Sequence, residues 1–258
     1  MGVFIYDSTW TGFLSTIFEI FERRVRPVNI TTVGRYMPDV FAQPLHVTTD
    51  EVKAERVLAG IAKKISAPAV RKLYACFLSE LPGIENTLYA YIRLVFAMKE
   101  SPERAYADPD VLRVSQVDKM VHREKHRMEA FVRFQLTSDD LYYAAVEPDY
   151  NVLPLILNHF KRRYADQRWL IYDLRRDYGI YYDLKTVEEV TLSFNDKSTG
   201  SEPSIPLFHE EEALYQALWK DYFKHVNIKE RKNDKLHLQH VPKRYWKNLT
   251  EKFNLLMW

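Results

Sequence analysis

The hydrophobic period of this chain changes near residue 131, and this change limits its fold more than any other feature. Before it, apolar residues recur at the three- and four-residue spacing of a helix that begins near Pro109. The apolar positions of this helix are Val114, Val117, Val121, Met128 and Phe131. Beyond it, apolar and polar residues alternate, as is typical of half-buried strands. The chain is therefore predicted to contain both helices and strands.

Four strands and one helix are predicted after the change in period. The strands are FVRFQLT, LYYAAVEP, WLIYDLR and YGIYYDL, and the helix is NVLPLILNHFKRRYA. The helix lies between the second and third strands, and EEVTLSF is a candidate for a further strand. This β-β-α-β-β order predicts a central antiparallel sheet with a helix on one face.

The residues before the long helix are predicted to be an opening strand, VFIYDS, followed by a helical bundle. The first helix is TWTGFLSTIFEIFERRV, and the next two are expected to be capped by Asp50 and Ser66. A fourth strongly apolar helix is PGIENTLYAYIRLVFAMK. Between the first two helices, NITTVGRYMPDVFAQP has the composition of a loop that leads to a short strand, LHVTT.

These elements predict an α+β fold in a single domain, residues 1–258. Its expected sub-regions are a mainly helical part, 1–108, an α+β part, 109–195, and a basic helical tail, 207–258. The stretch NDKSTGSEPSIP has the composition of a linker before the tail.

Composition excludes several classes of function. Glycine is scarce, with 7 residues, and the phosphate-binding patterns GxxxxGK[ST] and GxGxxG are absent. The single cysteine, Cys76, excludes a disulfide framework and an iron–sulfur cluster held by several thiolates. It lies in the apolar run LYACFLSEL, which predicts a buried structural thiol. No cofactor is expected.

The expected location is the cytoplasm, because a single cysteine fits a reducing compartment. The opening stretch, MGVFIYDSTW, lacks the basic region of a signal peptide. No apolar run approaches the roughly 20 residues that a membrane-spanning helix needs, so no membrane contact is expected.

Positive charge is concentrated at the end of the chain. Residues 220–258 contain ten Lys or Arg and four Asp or Glu, whereas the whole chain has a net charge of only +2. A basic end on a neutral or slightly acidic body indicates a polyanionic partner.

Basic residues stand beside aromatic residues in three segments, and this pattern favours nucleic acid as the polyanion. Cations neutralise phosphates, and arginine binds phosphate with two parallel hydrogen bonds. The candidate contacts are Arg127, Arg133, Arg162, Arg163, Arg175, Arg231, Lys243, Arg244 and Lys247. The alternative is that the aromatic rings are core and the arginines form ion pairs at its rim.

The segment HREKHR offers the weak catalytic candidates Glu124 and His126. His122 and His126 are four residues apart and share a helix face, but the pattern differs from HExxH and no third metal ligand is evident. No metal site is expected. A polar, solvated face is the plainer interpretation, and the alternative is that Glu124 and His126 act as an acid–base pair.

The closing segment HVPKRYWKNLTE is predicted to form a helix with Pro242 in its first turn. Tyr245 and Leu249 then share one face and pack against the protein. Lys243, Arg244 and Lys247 remain at its rim as phosphate contacts.

Long stretches of the chain resemble a bacterial family described as probable DNA metabolism or putative DNA repair proteins. They include FIYDSTWTGFLSTIFEIFE, LSELPGIENTLYAYIRL, DPDVLRV, HREKHRMEAFVRF, YYAAVEPDYNVLPLILNHFKRRYADQRWLIYDLRRDYGIYYD and HVPKRYWKNLTE. The resemblance covers residues 3 to about 252. Departures are Ala130 where glycine is common, Tyr150 where histidine is common, and Val241 where methionine is usual.

The resemblance implies a role in DNA metabolism beside a radical SAM protein, which is typically encoded next to family members. Some members are fused to a uracil-DNA glycosylase domain, but this chain lacks the cysteines of either enzyme, so a partner would supply such chemistry. The expected function is a nucleic-acid-binding accessory protein in DNA repair or modification. The alternatives are an enzyme acting on DNA or a modified base through Glu124 and His126, and a protein-interaction subunit without DNA contact.

Overall fold

The computed structural model describes residues 2–38, 43–191, 212, 214, 216–218 and 238–252. Two compact units divide the chain, Met1–Arg123 and Glu124–Trp258. Arg231, the expected linker and most of the expected C-terminal helices lie outside the described residues. The described residues form helices and two sheets, which confirms the α+β class.

The first unit contains a three-stranded parallel sheet, where the sequence predicted a strand and then helices. Strand β1 (Gly2–Tyr6) lies between β2 (Val28–Thr32) and β3 (Pro44–His46). Helix α1 (Trp10–Arg23) connects β1 to β2, so both strands run in the same direction. The expected loop over NITT is therefore wrong: Ile30 and Thr32 are buried, and the segment pairs along the whole of β1.

Three further helices of the first unit begin where the sequence predicted. Helix α2 (Glu51–Ala62) is capped by Asp50, whose side chain accepts from the Lys53 amide. Ser66 caps α3 (Ala67–Phe77) through the Ala69 amide. Helix α4 (Ile84–Ala97) follows Gly83, which has a positive φ of 78°. Each predicted cap satisfies an amide that has no partner within its own helix.

The long helix α5 (Pro109–Phe131) begins at the predicted proline. Its residues Val114, Val117 and Val121 are buried, as predicted. Cys76 is also fully buried and its thiol donates to the Val114 carbonyl at 3.2 Å, which confirms the structural thiol. None of the helices among the described residues combines the length and the apolar character needed to cross a membrane.

The second unit contains a five-stranded sheet in the order β4-β5-β6-β7-β8. The strands are β4 (Gln135–Leu136), β5 (Tyr142–Val146), β6 (Trp169–Asp173), β7 (Tyr178–Tyr182) and β8 (Val187–Val190). Helix α6 (Leu153–Arg163) connects β5 to β6. The predicted β-β-α-β-β order is therefore observed, and β8 extends the sheet.

The prediction of a purely antiparallel sheet is wrong, because β5 and β6 are parallel. The other three pairings are antiparallel. A helical crossover returns the chain to the edge from which the first strand started, so the second strand must run in the same direction. Residues 147–151, which follow β5, and residues 174–177, which follow β6, consequently leave the sheet at the same edge. We call residues 147–151 the edge loop.

The chain's closing segment forms a short 3-10 helix, Lys243–Asn248, rather than an α-helix. Pro242 precedes it as the N-cap instead of lying in its first turn. Tyr245 and Leu249 are each 2% exposed, which confirms that they pack against the protein.

Candidate functional site

Glu124 lies on the apolar face of α5, at a position where the helical spacing predicts an apolar residue. Val121 and Met128, its neighbours at three- and four-residue spacing, are buried, as is Val117 two turns earlier, and Glu124 itself is 1% exposed. Moving a carboxylate out of water is costly unless hydrogen bonds or opposite charges replace its hydration. The contacts of Glu124 are therefore the starting point for the site.

Both oxygens of the Glu124 carboxylate accept hydrogen bonds. Oε1 accepts from the Asp149 amide at 2.9 Å, and Oε2 accepts from the Tyr245 hydroxyl at 2.5 Å. Two guanidinium groups lie close to Oε2, with Arg244 Nη2 at 3.6 Å and Arg127 Nη1 at 3.7 Å. The buried charge is thus both hydrogen-bonded and paired, by residues from three separate parts of the sequence.

The edge loop is held by contacts at several successive residues. Glu147 pairs with Lys247 at 2.5 Å, and Asp149 Oδ2 pairs with Arg244 Nη2 at 2.7 Å. The Pro148 carbonyl accepts from Arg176 at 3.1 Å, and Asn151 accepts from the Tyr178 hydroxyl. The partners come from the turn after β6, from β7 and from the closing 3-10 helix.

A second buried carboxylate, Asp173, ends strand β6. It is fully buried and forms a 2.8 Å ion pair with Arg176. Burial raises the pKa of Asp173, while the Arg176 guanidinium and the Arg175 amide oppose that rise. Arg176 therefore links Asp173 to the edge loop, because the same guanidinium also donates to the Pro148 carbonyl.

Two phenols in this region are held in their neutral form. Burial raises the pKa of Tyr245, and its hydrogen bond to the Glu124 carboxylate adds to the effect. Burial also raises the pKa of Tyr178, and the negative charge of Asp173 adds to it. Shifted titratable groups occur frequently at functional sites, although structural ion-pair networks produce them too.

The structure brings together five of the nine basic residues predicted to bind nucleic acid. Two are Arg127 and Arg244, described above, and Arg175 Nη1 lies 3.5 Å from the Asp149 carbonyl. Lys247 pairs with the edge loop, and Lys243 is exposed on the same 3-10 helix. We call this group the edge cluster, which consists of Glu124, Arg127, Glu147, Asp149, Asp173, Arg175, Arg176, Lys243, Arg244 and Lys247.

The other predicted basic residues lie elsewhere or are not described. Arg162 and Arg163 are exposed at the C-terminal end of α6, which lies at the opposite edge of the sheet because α6 runs back against β5. Arg133 forms a 2.8 Å ion pair with Glu251. Arg231 lies outside the described residues.

The edge cluster contains six cations and four carboxylates, so it carries more positive than negative charge. The surplus comes from Arg175 and Lys243, which are exposed and form no ion pair with a carboxylate among the described residues. Both can accept a phosphate contact without breaking an ion pair.

Glu124 and His126 are not brought together. Residues two apart on a helix point to opposite sides, and the His126 side chain is 85% exposed while Glu124 is buried. His126 Nδ1 lies 3.8 Å from Glu129, and His122 contacts Asp118 at 3.0 Å. The two histidines thus lie on a polar, solvated face, as the plainer interpretation expected, and direct proton transfer from Glu124 to His126 has no geometric support.

Among the residues that the structure describes, no group of three or more His, Cys, Asp or Glu side chains is arranged to hold a metal ion. The carboxylates of the edge cluster are instead used by arginine, lysine, tyrosine and backbone amides. The chemistry that these residues support directly is anion binding through their cations.

The sequence interpretation did not identify the carboxylates that organise the cluster, Asp149 and Asp173, nor the partners Asn151 and Tyr178. Each lies in the edge loop or at the end of a strand beside it. One available signal was Glu124, a charged residue that interrupts the apolar spacing of α5. Another was the polar run EPDYN directly after an apolar strand.

A family model described as a domain of unknown function, DUF4130, matches residues 82–251. This match covers both halves of α5, the whole five-stranded sheet and the closing 3-10 helix. No curated protein and no solved structure matches the chain.

Proposed function

We propose that this chain, which belongs to the DUF4130 family, is a nucleic-acid-binding accessory protein that contacts phosphates with the exposed cations of the edge cluster. The observation that carries the proposal is that Arg175 and Arg244 contact Asp149 of the edge loop, while Arg127 pairs with Glu124, which accepts a hydrogen bond from the Asp149 amide. Three sequence segments supply these arginines, and nothing in local structure requires that they meet.

The charges of the cluster fit a phosphate backbone better than a small neutral ligand. Lysine and arginine that neutralise phosphates release the counterions of the nucleic acid, and this release drives sequence-independent binding. Arginine also presents a planar set of donors that matches two phosphate oxygens. Arg175 and Lys243 supply the first contacts, because neither has to leave a carboxylate.

The biological setting that we propose is DNA repair or modification in the cytoplasm, beside a radical SAM protein. The support is the resemblance of the sequence to probable DNA metabolism proteins. The single cysteine of this chain provides no cluster ligands of its own, so the partner would supply redox chemistry. In this role the protein holds DNA while its partner acts on it.

Fluorescence anisotropy with labelled single- and double-stranded oligonucleotides tests the proposal. We expect binding at micromolar protein in low salt, with an affinity that falls steeply as salt rises. The double variant R175E/K243E should bind at least about tenfold more weakly, since two exposed cations become anions. The matched control is R162E/R163E, which makes the same change in charge at the opposite edge of the sheet.

The outcomes separate the function from the position of the interface. Absence of binding by the unaltered protein at micromolar concentration overturns the proposed function. A larger loss in R162E/R163E than in R175E/K243E would keep nucleic acid as the ligand but move the interface to the end of α6. Co-purification with a radical SAM protein, without DNA binding by either, would support the protein-interaction alternative.

An enzymatic role is the second candidate, and the buried carboxylate of Glu124 is the observation that favours it. Its hydrogen bond to the Tyr245 hydroxyl forms an acid–phenol pair close to two guanidinium groups. A panel of oligonucleotides with damaged or modified bases tests this role, with Glu124→Gln as the variant. Turnover that depends on Glu124 would support an enzyme, and equal turnover by the variant would remove Glu124 from the reaction.

A further inference from the structure

We propose that Glu147 and Asp149 are internal competitors for phosphate, which neutralise Lys247 and Arg244 until a bound nucleic acid replaces them. The inference rests on the proposed function and adds an autoinhibitory contact to the same site. Each carboxylate contacts its arginine or lysine partner at the position that an oxygen of a bound phosphate would occupy.

The exposure of the ion pairs shows which of them a ligand can exchange. In the outer pairs all four side chains reach solvent: Arg244 and Asp149 are 45% and 41% exposed, and Lys247 and Glu147 are 49% and 32% exposed. In the inner pair, Arg176 and Asp173 are 11% and 0% exposed. Exposed ion pairs are weak because water and salt screen them, whereas a buried pair cannot lose one partner without leaving a charge out of water.

The backbone of the edge loop is fixed by contacts that an exchange would leave intact. The Asp149 amide donates to Glu124, and the Pro148 carbonyl accepts from Arg176. The side chains of Glu147 and Asp149 can therefore rotate away from their cations without unfolding of the loop.

Arg244 is likewise held in place by contacts other than Asp149. Its Nη2 donates to the Tyr245 hydroxyl at 2.6 Å, and its guanidinium lies over the Tyr245 ring at 4.5 Å. When Asp149 leaves, the guanidinium remains at the surface with donors available, since it has five N–H groups. The cation is thus positioned before the phosphate arrives.

This arrangement discriminates between polyanions and single anions. A lone anion must displace one carboxylate that is tethered beside its cation and present at a high effective concentration. A nucleic acid already bound at Arg175 and Lys243 brings its next phosphates to Arg244 and Lys247 in the same way. The site should therefore exclude small cellular anions and accept a continuous phosphate backbone.

The experiment compares two double variants that make the same change in net charge. E147Q/D149N removes the internal competitors. D166N/E188Q removes two exposed carboxylates that form no ion pair with another described residue. Affinity for the labelled duplex is measured by anisotropy over a series of salt concentrations, and circular dichroism confirms that each variant is folded.

We expect E147Q/D149N to bind the duplex about tenfold more tightly than the unaltered protein, and D166N/E188Q less than about threefold more tightly. In the unaltered protein, each carboxylate that a phosphate displaces binds a cation from solution, which offsets part of the counterion release from the nucleic acid. E147Q/D149N lacks these carboxylates, so its slope of log affinity against log salt should become steeper by about one to two. The single variants E147Q and D149N should each give part of the gain, so the result does not depend on the double variant.

Unchanged or weaker binding by E147Q/D149N, or an equal gain in both double variants, would overturn the exchange while leaving nucleic-acid binding intact. Failure of every protein to bind would instead overturn the proposed function. Inorganic phosphate, added as a competitor in the same salt series, should displace little of the duplex when its concentration equals that of the nucleotides in the duplex.

Discussion

The hydroxyl of Tyr245 donates a 2.5 Å hydrogen bond to the carboxylate of Glu124, which lies 121 residues earlier in the chain. Both side chains are buried, with Glu124 at 1% and Tyr245 at 2% exposure. A buried carboxylate that loses a hydrogen bond loses part of what replaces its hydration. This single contact therefore ties the closing 3-10 helix to α5 within the second unit.

Substitution of Tyr245 by Phe should lower the free energy of unfolding by about 1–3 kcal/mol, because it removes the donor and leaves the ring. Urea denaturation measures the change. Tyr164→Phe is the matched control, since its ring contacts Phe134 and Phe160 and its hydroxyl has no hydrogen bond among the described residues. A loss that is equal in the two variants would contradict a specific role for the Tyr245 hydroxyl.

Alkaline pH should destabilise the folded protein through its buried tyrosines. Burial is the main cause that raises the pKa of five of them, Tyr6, Tyr91, Tyr143, Tyr178 and Tyr245, and it raises the pKa of Tyr91 to about 12 from an ordinary value of 10.0. Above the ordinary value the unfolded chain releases these protons and the folded chain keeps them. The free energy of unfolding should therefore be unaffected by these groups below about pH 10 and fall as pH rises further.

Ultraviolet absorbance of tyrosinate and circular dichroism, followed together during an alkaline titration, measure this effect. Exposed tyrosines should titrate first, and the buried group should ionise only as the secondary structure is lost. Ionisation of all 17 tyrosines in one step, with the secondary structure unchanged, would contradict the expected burial.

Gly12 should not tolerate a side chain. An added Cβ would lie 2.1 Å from Asp7 Oδ1 and 2.8 Å from Thr49 Oγ1. The Thr49 hydroxyl donates to the Asp7 carboxylate at 2.6 Å, and the Thr9 amide donates to the same carboxylate at 3.0 Å. The added methyl group would therefore collide with a side chain that these hydrogen bonds hold in place. Gly12→Ala should lower the free energy of unfolding of the first unit by about 3 kcal/mol.

Gly34→Ala is the control for this substitution, because nothing lies within 4 Å of its added Cβ. Its free energy of unfolding should change by less than about 0.5 kcal/mol.

Acid unfolding gives an independent measurement on the hydrogen bonds of Asp7. Burial raises the pKa of Asp7, but the hydrogen bonds from Thr49 and Thr9 lower it by more, so the pKa lies below its ordinary value of 3.8. The stability that Asp7 provides is therefore present above pH 3.8 and lost as pH falls below it.

The thiol of Cys76 should be unreactive in the folded protein. It is fully buried, and burial raises its pKa well above the ordinary value, so little reactive thiolate forms. A thiol-specific disulfide reagent should label it at least roughly 100-fold more slowly than in denaturant. Rapid labelling without denaturant would show that the first unit opens locally around α3.

Helix α6 and most strands of the five-stranded sheet could be predicted because each carries its own hydrophobic period. The alternation in LYYAAVEP and YGIYYDL and the spacing in α6 are local properties, and the structure confirms them. The direction of β6 relative to β5 could not be read in this way, because pairing depends on where the crossover returns the chain. The same reason explains why the sequence of β2, a short polar strand, predicts a loop.

The candidate site was predictable only in part. Basic residues are conspicuous in sequence, and Arg127, Arg175 and Arg244 were identified from their type alone. Their carboxylate partners were not, because Asp149 and Glu147 gain significance only when the edge loop meets the closing helix. Contacts between residues so far apart in the sequence have no periodic pattern. The signals that pointed to them were Glu124, which interrupts the apolar face of α5, and the polar run EPDYN.

The long separation between Glu124 and Tyr245 also has a consequence for the order of events on the ribosome. The first unit, Met1–Arg123, is compact by itself, so it can begin to fold while synthesis continues. The second unit cannot, because the phenol that satisfies Glu124 is translated 121 residues after it. A nascent chain halted before Arg244 would leave Glu124 Oε2 without the Tyr245 hydroxyl, and it would leave Glu147 and Asp149 without their lysine and arginine partners.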